Sequence, residues 1–304
     1  MERVEMASTG LEARLKKMAE YLDTEAIAAA LKLPVETVSD ILDGKAEIET
    51  VPAGKPAAPA VVQVNSARVA FRQRVIAVWR AKGGVGCTAV ALYLAWLLKD
   101  MLRVLLIDLN LDAGGSDLSY YLGLPEYPHL GGAGYGLETS LINVQDGFYV
   151  LQAPRRADEI KIPKGMITGI INAARPAFDV IIMDLPNNTE EHVIEAVSNA
   201  TTMVFVTAGG EQELLRIALK IVEFNKEENL LVANGGKIGA GAAREIGVDK
   251  VVSIPWDGGL QKVLEGNGRP QKGSPFMEGV EALRDILYER TGQKGGILKK
   301  LFLR

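Results

Sequence analysis

The sequence predicts an α/β fold: a doubly wound, mostly parallel sheet preceded by a small helical module. Three observations carry that expectation. From about Val69 onward, short continuous apolar runs recur, as strands covered on both faces require. Amphipathic segments of helical length separate those runs. The stretch VIAVWRAKGGVGCTAVALYLAWLL, residues 75–98, reads as a buried strand, a glycine-rich loop and a helix.

The first fifty residues read as helical. Leu11, Leu15, Met18 and Leu22 fall at helical spacing. Thr24 is placed to cap a helix through Ala30, residues 32–34 turn the chain, and residues 35–42 form another helix ended by Gly44. Residues 1–50 therefore resemble a helix-turn-helix. Residues 51–68, which include VPAGKPAAPAVVQVNSA, are rich in Ala and Pro and read as a semi-extended linker.

Strands are expected over 75–79, 104–109, 149–152, 180–185, 203–207, 230–233 and 251–254. Helices such as 89–99, 163–174, 190–198 and 211–225 separate them, an order that implies βαβ units. The sheet domain spans 69–290, and residues 291–304 form a tail. There is no internal repeat.

Bulk properties narrow the class. The chain has 304 residues, 48% hydrophobic and 24% charged, with a net charge of −4. That charge argues against a protein that coats nucleic acid. A single cysteine permits no intrachain disulfide and suits a reducing compartment. The first residues are too charged for a secretory signal, and no apolar run approaches the ~20 residues of a membrane span. A cytoplasmic protein, with peripheral contact to the inner face of the membrane, is the expectation. His129 and His192 form no metal motif, and Trp79 and Trp256 are expected to pack.

In AKGGVGCT, glycines Gly83, Gly84 and Gly86 let backbone amides converge on an anion. The helix starting near Cys87 adds its N-terminal dipole, and Thr88 stands where such loops hold Mg²⁺. Ala81 replaces the first glycine of the full phosphate-loop pattern, and Cys87 replaces its lysine. Asp108 and Asp184 each close an apolar strand, at the sheet edge where ligands of open α/β folds sit. The alternatives are a glycine turn that binds nothing and two aspartates that cap helices or turns.

These residues carry a resemblance. KGGVGCT, LIDLNLD, FDVIIMDLP and VSIPWDGGLQKVLEGNGRP occur in that order over roughly residues 70–290. They resemble the MinD/ParA class of deviant Walker A P-loop ATPases. Within it the chain is similar to CpaE- and TadZ-like proteins of Flp/Tad pilus assembly and localisation. Those often place a small residue at the loop lysine, carry DLP after the Walker B strand and add an N-terminal domain. Theirs is usually receiver-like, whereas the module here is helical.

The resemblance implies ATP or ADP and Mg²⁺ as ligands, held by Gly83, Gly84, Val85, Gly86, Cys87 and Thr88, with Thr88 and Asp184 on the metal. It implies that Lys82 is the signature lysine, reaching across a nucleotide-sandwich homodimer to the partner's phosphates. Asp108 matches the first carboxylate of a D-x-D element whose second, water-positioning member is Asn110 here. Asp112 stands nearby as a substitute. Asn234, in LLVANGGK, falls where the family often reads adenine, although Asn-Gly is also a common turn.

A charge-assisted lysine–phosphate contact is worth ~1.5–3 kcal/mol. Arg80 and Lys82 can restore part of that charge. An amide at 110 can orient water but cannot accept its proton. Losing both groups weakens catalysis more than binding, because both act on charge that develops in the transition state. The expectation is nucleotide binding with slow or absent hydrolysis. Cys87 invites a second idea, a thiolate activated by the helix N-terminus and nearby cations. The plainer alternative is a small residue filling vacated lysine space.

Residues 1–50 hold eleven acids against six bases, and the second helix of the module carries Glu36, Asp40 and Asp43 with no base. That charge repels phosphate, so the module is expected to dock a protein or dimerise rather than read DNA. In the tail, Ile297, Leu298, Leu301 and Phe302 share a helical face flanked by Lys299 and Lys300. It resembles the membrane-targeting tail of MinD and suits an anionic lipid surface, with packing on the chain's own domain as the alternative. Three functions follow: a nucleotide-responsive localisation factor, an active partitioning or division ATPase, and a nucleotide-independent adaptor.

Overall fold

A computed structural model of the chain describes residues 73–111, 116–156, 160–248 and 250–288, with isolated positions 24, 35, 39, 42 and 43. The chain divides into two units, Met1–Ala67 and Arg68–Arg304. In the first, Thr24, Val35, Ser39 and Leu42 are helical, and the Asp43 amide donates to the Ser39 carbonyl at 2.9 Å. Thr24, expected as a cap, is itself helical, and its neighbours lie outside the described residues. The remainder of the helix-turn-helix-like module, the linker over 51–68, Asp112 and the tail with Ile297–Phe302 lie outside the described residues.

Among the described residues the second unit has eight strands: β1 (Arg74–Arg80), β2 (Val104–Asp108), β3 (Ile142–Gln145), β4 (Phe148–Leu151), β5 (Val180–Asp184), β6 (Thr202–Thr207), β7 (Glu228–Asn234) and β8 (Lys250–Ile254). They lie in the order β3-β4-β2-β5-β1-β6-β7-β8. Every neighbouring pair is parallel except β3 with β4. The expected strands are all present, because continuous apolar runs survive only where both faces are covered. All residues of β2, β5 and β6 are buried.

Strand β3 is an addition that the apolar runs did not reveal. INVQ alternates half-buried and exposed, as an edge strand does. Its signal was the Asp146–Gly147 dipeptide, a hairpin turn. Gly147 has φ +77°, and a Cβ there would lie 2.5 Å from the Lys99 carbonyl oxygen.

The helices are α1 (Cys87–Leu98), α2 (Asp117–Leu122), α3 (Leu137–Ser140), α4 (Met166–Ala174), α5 (Glu191–Asn199), α6 (Glu211–Phe224), α7 (Ala240–Glu245), α8 (Leu260–Asn267) and α9 (Pro275–Leu287). Helices α1, α8 and α9 pack on one face of the sheet against Ile76, Val78 and Leu106. Helices α4, α5 and α6 cover the other against Ala77, Trp79 and Ile107. Helix α1 is apolar all round because α9 closes over its outer side, where Tyr93 meets Phe276 edge-on at 5.1 Å. Among the described residues, no helix is long and apolar enough to cross a membrane.

This topology fixes where a ligand can sit. Strand β1 feeds α1 on one face, whereas its neighbour β5 feeds α5 on the other. Loops leaving in opposite directions open a crevice at the carboxyl ends of that strand pair.

Helix α9 rests on β8 through Gly279, where a Cβ would come within 2.6 Å of Ile254 Cγ1. Gly279→Val is therefore expected to cost about 1–3 kcal/mol by overpacking. Urea denaturation reads this directly, and an unchanged midpoint would contradict the packing described.

Candidate functional site

The crevice is lined from three strand ends. Strand β1 ends at Arg80, and the loop from Ala81 to Gly86 leads into α1 at Cys87. Gly84 and Gly86 hold φ +78° and +88°, values that side chains resist, so glycine is needed for the turn itself. A Cβ on Gly83 or Gly84 would meet nothing within 4 Å, so the loop's outer side is open to an incoming anion. At Gly86 a Cβ would instead lie 2.5 Å from Asn234 Nδ2.

That contact assigns Asn234 a local task. At the carboxyl end of β7, its amide donates to the Val85 carbonyl at 2.9 Å and pins the loop from the side. Arg216 on α6 does likewise, its Nη1 donating to the Ala81 carbonyl at 3.3 Å. Sequence reading missed Arg216 because no motif joins positions 81 and 216.

Beneath the loop, Thr88 Oγ1 donates to Asp184 Oδ2 at 2.6 Å. Asp108 lies beside Asp184 in register on β2. Its carboxylate accepts the Asn110 amide at 3.0 Å and the Ser116 hydroxyl. Ser116 in turn caps α2, accepting the Ser119 amide at 3.1 Å. Both aspartates are 1% exposed. Arg80 reaches over them from β1, with Nη1 3.2 Å from the Leu185 carbonyl and 3.8 Å from Asp184 Oδ1.

Burial governs the electrostatics. It pushes the Asp108 carboxyl up to about 7; the Asp184 charge adds to the rise, and the Ser116 and Asn110 hydrogen bonds oppose it. Burial also raises Asp184, against the Arg80 charge and hydrogen bonds from Thr88 and Cys87. The Cys87 thiol is driven well above its usual value by burial and by the Asp184 charge, with Arg80 opposing. A thiol kept neutral is a poor nucleophile, which sets aside the activated-thiolate idea. Cys87 behaves as a small buried residue.

The other expected residues are placed less centrally. The Lys82 side chain is 66% exposed, its Nζ 4.0 Å from Glu213 Oε1. Glu213 is itself held by the Thr207 hydroxyl at 2.6 Å and the Ala208 amide at 2.9 Å. Asn110 Oδ1 is buried and accepts no hydrogen bond from the described residues. Trp79 packs edge-on against Phe205 and Phe224 as expected. Trp256 does not pack inside: it is 79% exposed, because β8 ends at Ile254 and the indole lies in the following loop, beside Gly235.

A divalent cation fits this donor set. Thr88 and Asp184 offer hard oxygens, and Asp184 Oδ1 is buried without a hydrogen bond from the described residues. No group of three or more His, Cys, Asp or Glu among the described residues can cage an ion. Two protein oxygens leave the remaining positions to phosphate and water, the manner of Mg²⁺ rather than of a structural metal.

No family model matches the chain, and no curated protein does. Solved structures do. The septum site-determining protein MinD from Pyrococcus horikoshii, complexed with Mg-ADP, is 21% identical with a TM-score of 0.63, over 74% of this chain and 99% of that one. A ParA family ATPase from Chlorobium tepidum is 20% identical with a TM-score of 0.62, over 70% and 98%. The MinC:MinD cell division complex from Aquifex aeolicus gives 19% and 0.61, over 73% and 98%. The chain thus has the fold of MinD/ParA-type P-loop ATPases.

The Asp108 carboxyl keeps its proton in the fold up to about pH 7 but releases it near 3.8 when ordinary, so the folded chain binds the extra proton between those values. Stability held at low pH is therefore lost as pH rises through that window. Asp108→Asn removes the loss, so relative to the parent the variant gains stability as pH rises from 3.8 to about 7 in urea melts. A difference independent of pH would contradict the raised carboxyl.

Proposed function

We propose that this chain is a nucleotide-responsive localisation factor: it binds ATP or ADP with Mg²⁺, dimerises across the phosphate loop and hydrolyses ATP slowly or not at all. The observation that carries the reading is the juxtaposition of an open glycine loop, a helix N-terminus and the Thr88–Asp184 pair at the carboxyl edge of β1 and β5. Nothing in a plain strand-to-helix turn calls for a buried carboxylate pair under three glycines. The Mg-ADP complex of the Pyrococcus neighbour supports the choice of ligand.

In this reading the loop amides of Gly83 to Thr88 receive the phosphates, the dipole of α1 favours their charge, and Thr88 and Asp184 take the metal. The exposed Lys82 is available to a second copy of the chain. Cys87 supplies no cation, and Asn110 can orient a water without deprotonating it. Binding survives these losses and turnover does not.

The small residue at 87, the DLP after β5 and the N-terminal module favour a CpaE- or TadZ-like task, positioning a membrane-associated assembly such as a Flp/Tad pilus apparatus. The module over 1–50 would receive a protein partner, and the tail residues Ile297, Leu298, Leu301 and Phe302 with Lys299 and Lys300 would meet an anionic membrane.

Nucleotide binding can be read from one side chain. Trp256 is exposed beside Gly235, next to the Asn234 that pins the loop, so a fluorescence change on adding ATP or ADP is expected, and Trp256→Phe is expected to remove the share that this indole contributes. A calorimetric titration without heat for either nucleotide would end the reading. Restoring the missing groups with Cys87→Lys and Asn110→Asp is expected to raise phosphate release by about a hundredfold or more. Parental turnover already equal to that of the double variant would remove the claim of impaired hydrolysis.

A further inference from the structure

The phosphate loop lacks a lysine at position 87, but the site does not lack a buried cation. Arg80 is the last residue of β1, and its side chain is 10% exposed. It lies under the loop rather than in solvent, donating to the Leu185 carbonyl at 3.2 Å with Asp184 Oδ1 at 3.8 Å. Cys87, 2% exposed, opens α1 directly after the loop, and the charges of Asp184 and Arg80 both act on its thiol, in opposite directions. Arginine and cysteine therefore share one buried space, into which a lysine at 87 would have to fit. Lys82, the other cation of the loop, is 66% exposed and turned to Glu213.

We propose that Arg80 is the resident cation of this site: its guanidinium takes the place of the loop lysine and neutralises Asp184, so that nucleotide is held with little dependence on Mg²⁺. The inference rests on the nucleotide reading above. Asp184 at full charge would repel phosphate, and in most phosphate loops a metal cancels that charge. Here the cancelling charge is built into the chain. A guanidinium stays charged at every relevant pH and its planar fork matches carboxylate and phosphate oxygens alike. Desolvation beneath the loop strengthens its attraction for both. A divalent ion seated at Asp184 would have to share that carboxylate with Arg80, so its net gain is reduced.

The alternative is that Arg80 is only a strut between β1 and β5. A strut would affect folding without altering the response to metal, which separates the two. Calorimetric titration of the full chain with ADP and with ATP, in Mg²⁺ and in EDTA, measures that response. The parent chain is expected to change affinity by less than about fivefold on removal of Mg²⁺. Arg80→Met is expected to lose about tenfold or more in EDTA and to regain affinity with Mg²⁺, while Arg80→Lys, which keeps the charge without the fork, loses less than Arg80→Met. A parent chain that weakens by more than about fivefold in EDTA overturns the proposal, as does Arg80→Met binding like the parent in EDTA. Should Arg80→Met fail to fold, judged by circular dichroism, the parent comparison decides alone. No binding in either buffer sinks the nucleotide reading itself. Binding that requires Mg²⁺ sinks only the role of Arg80.

Discussion

The site depends on one buried carboxylate. Asp184 ends β5 at the centre of the sheet, 1% exposed, where its charge has almost no water to spread into. Such a group is costly unless it is compensated, and its neighbours are arranged to do so. Thr88 donates to one oxygen, which fixes the first turn of α1 against β5. Arg80 approaches the other, which draws the end of β1 onto the same point. The glycine loop is the span between those two anchors, and its shape follows from their positions. Asn234 and Arg216 then pin it from β7 and α6.

That arrangement separates holding a nucleotide from transforming it. Amides, a helix dipole and a hydroxyl act on charge already present on phosphate. A loop lysine and a water-positioning acid act on charge that appears only on the way to hydrolysis. This chain carries the first set in its open glycine loop and Thr88, whereas Cys87 is buried with its thiol held protonated and position 110 is an amide. Under the proposed function, such a site would report nucleotide occupancy by dimerising without consuming the ligand.

Much of this was legible in the sequence, for a physical reason. Strands buried on both faces must be apolar throughout, so β1, β2, β5, β6 and β7 stand out as runs. An edge strand has no such obligation, and β3, half-buried and polar, was marked only by its Asp-Gly turn. The site divides in the same way. Thr88, Asp108 and Asp184 are tied to strand ends and a helix start, so their convergence follows from the topology. Arg216, Ser116 and the orientation of Arg80 arise from contacts between positions far apart or on an irregular loop, which no local pattern encodes. Trp256 was misread because its apolar character spoke for packing, whereas the strand before it ends too early to bury it.

The most direct test of a binding site without turnover is the fate of the bound nucleotide. ATP labelled at its γ-phosphate is incubated with the full chain and Mg²⁺, the complex is isolated by rapid gel filtration after hours, and the nucleotide is extracted. The account predicts that label stays with the protein as intact ATP, at a stoichiometry approaching one per chain. Recovery of ADP with free phosphate, or of protein carrying no nucleotide, would contradict it.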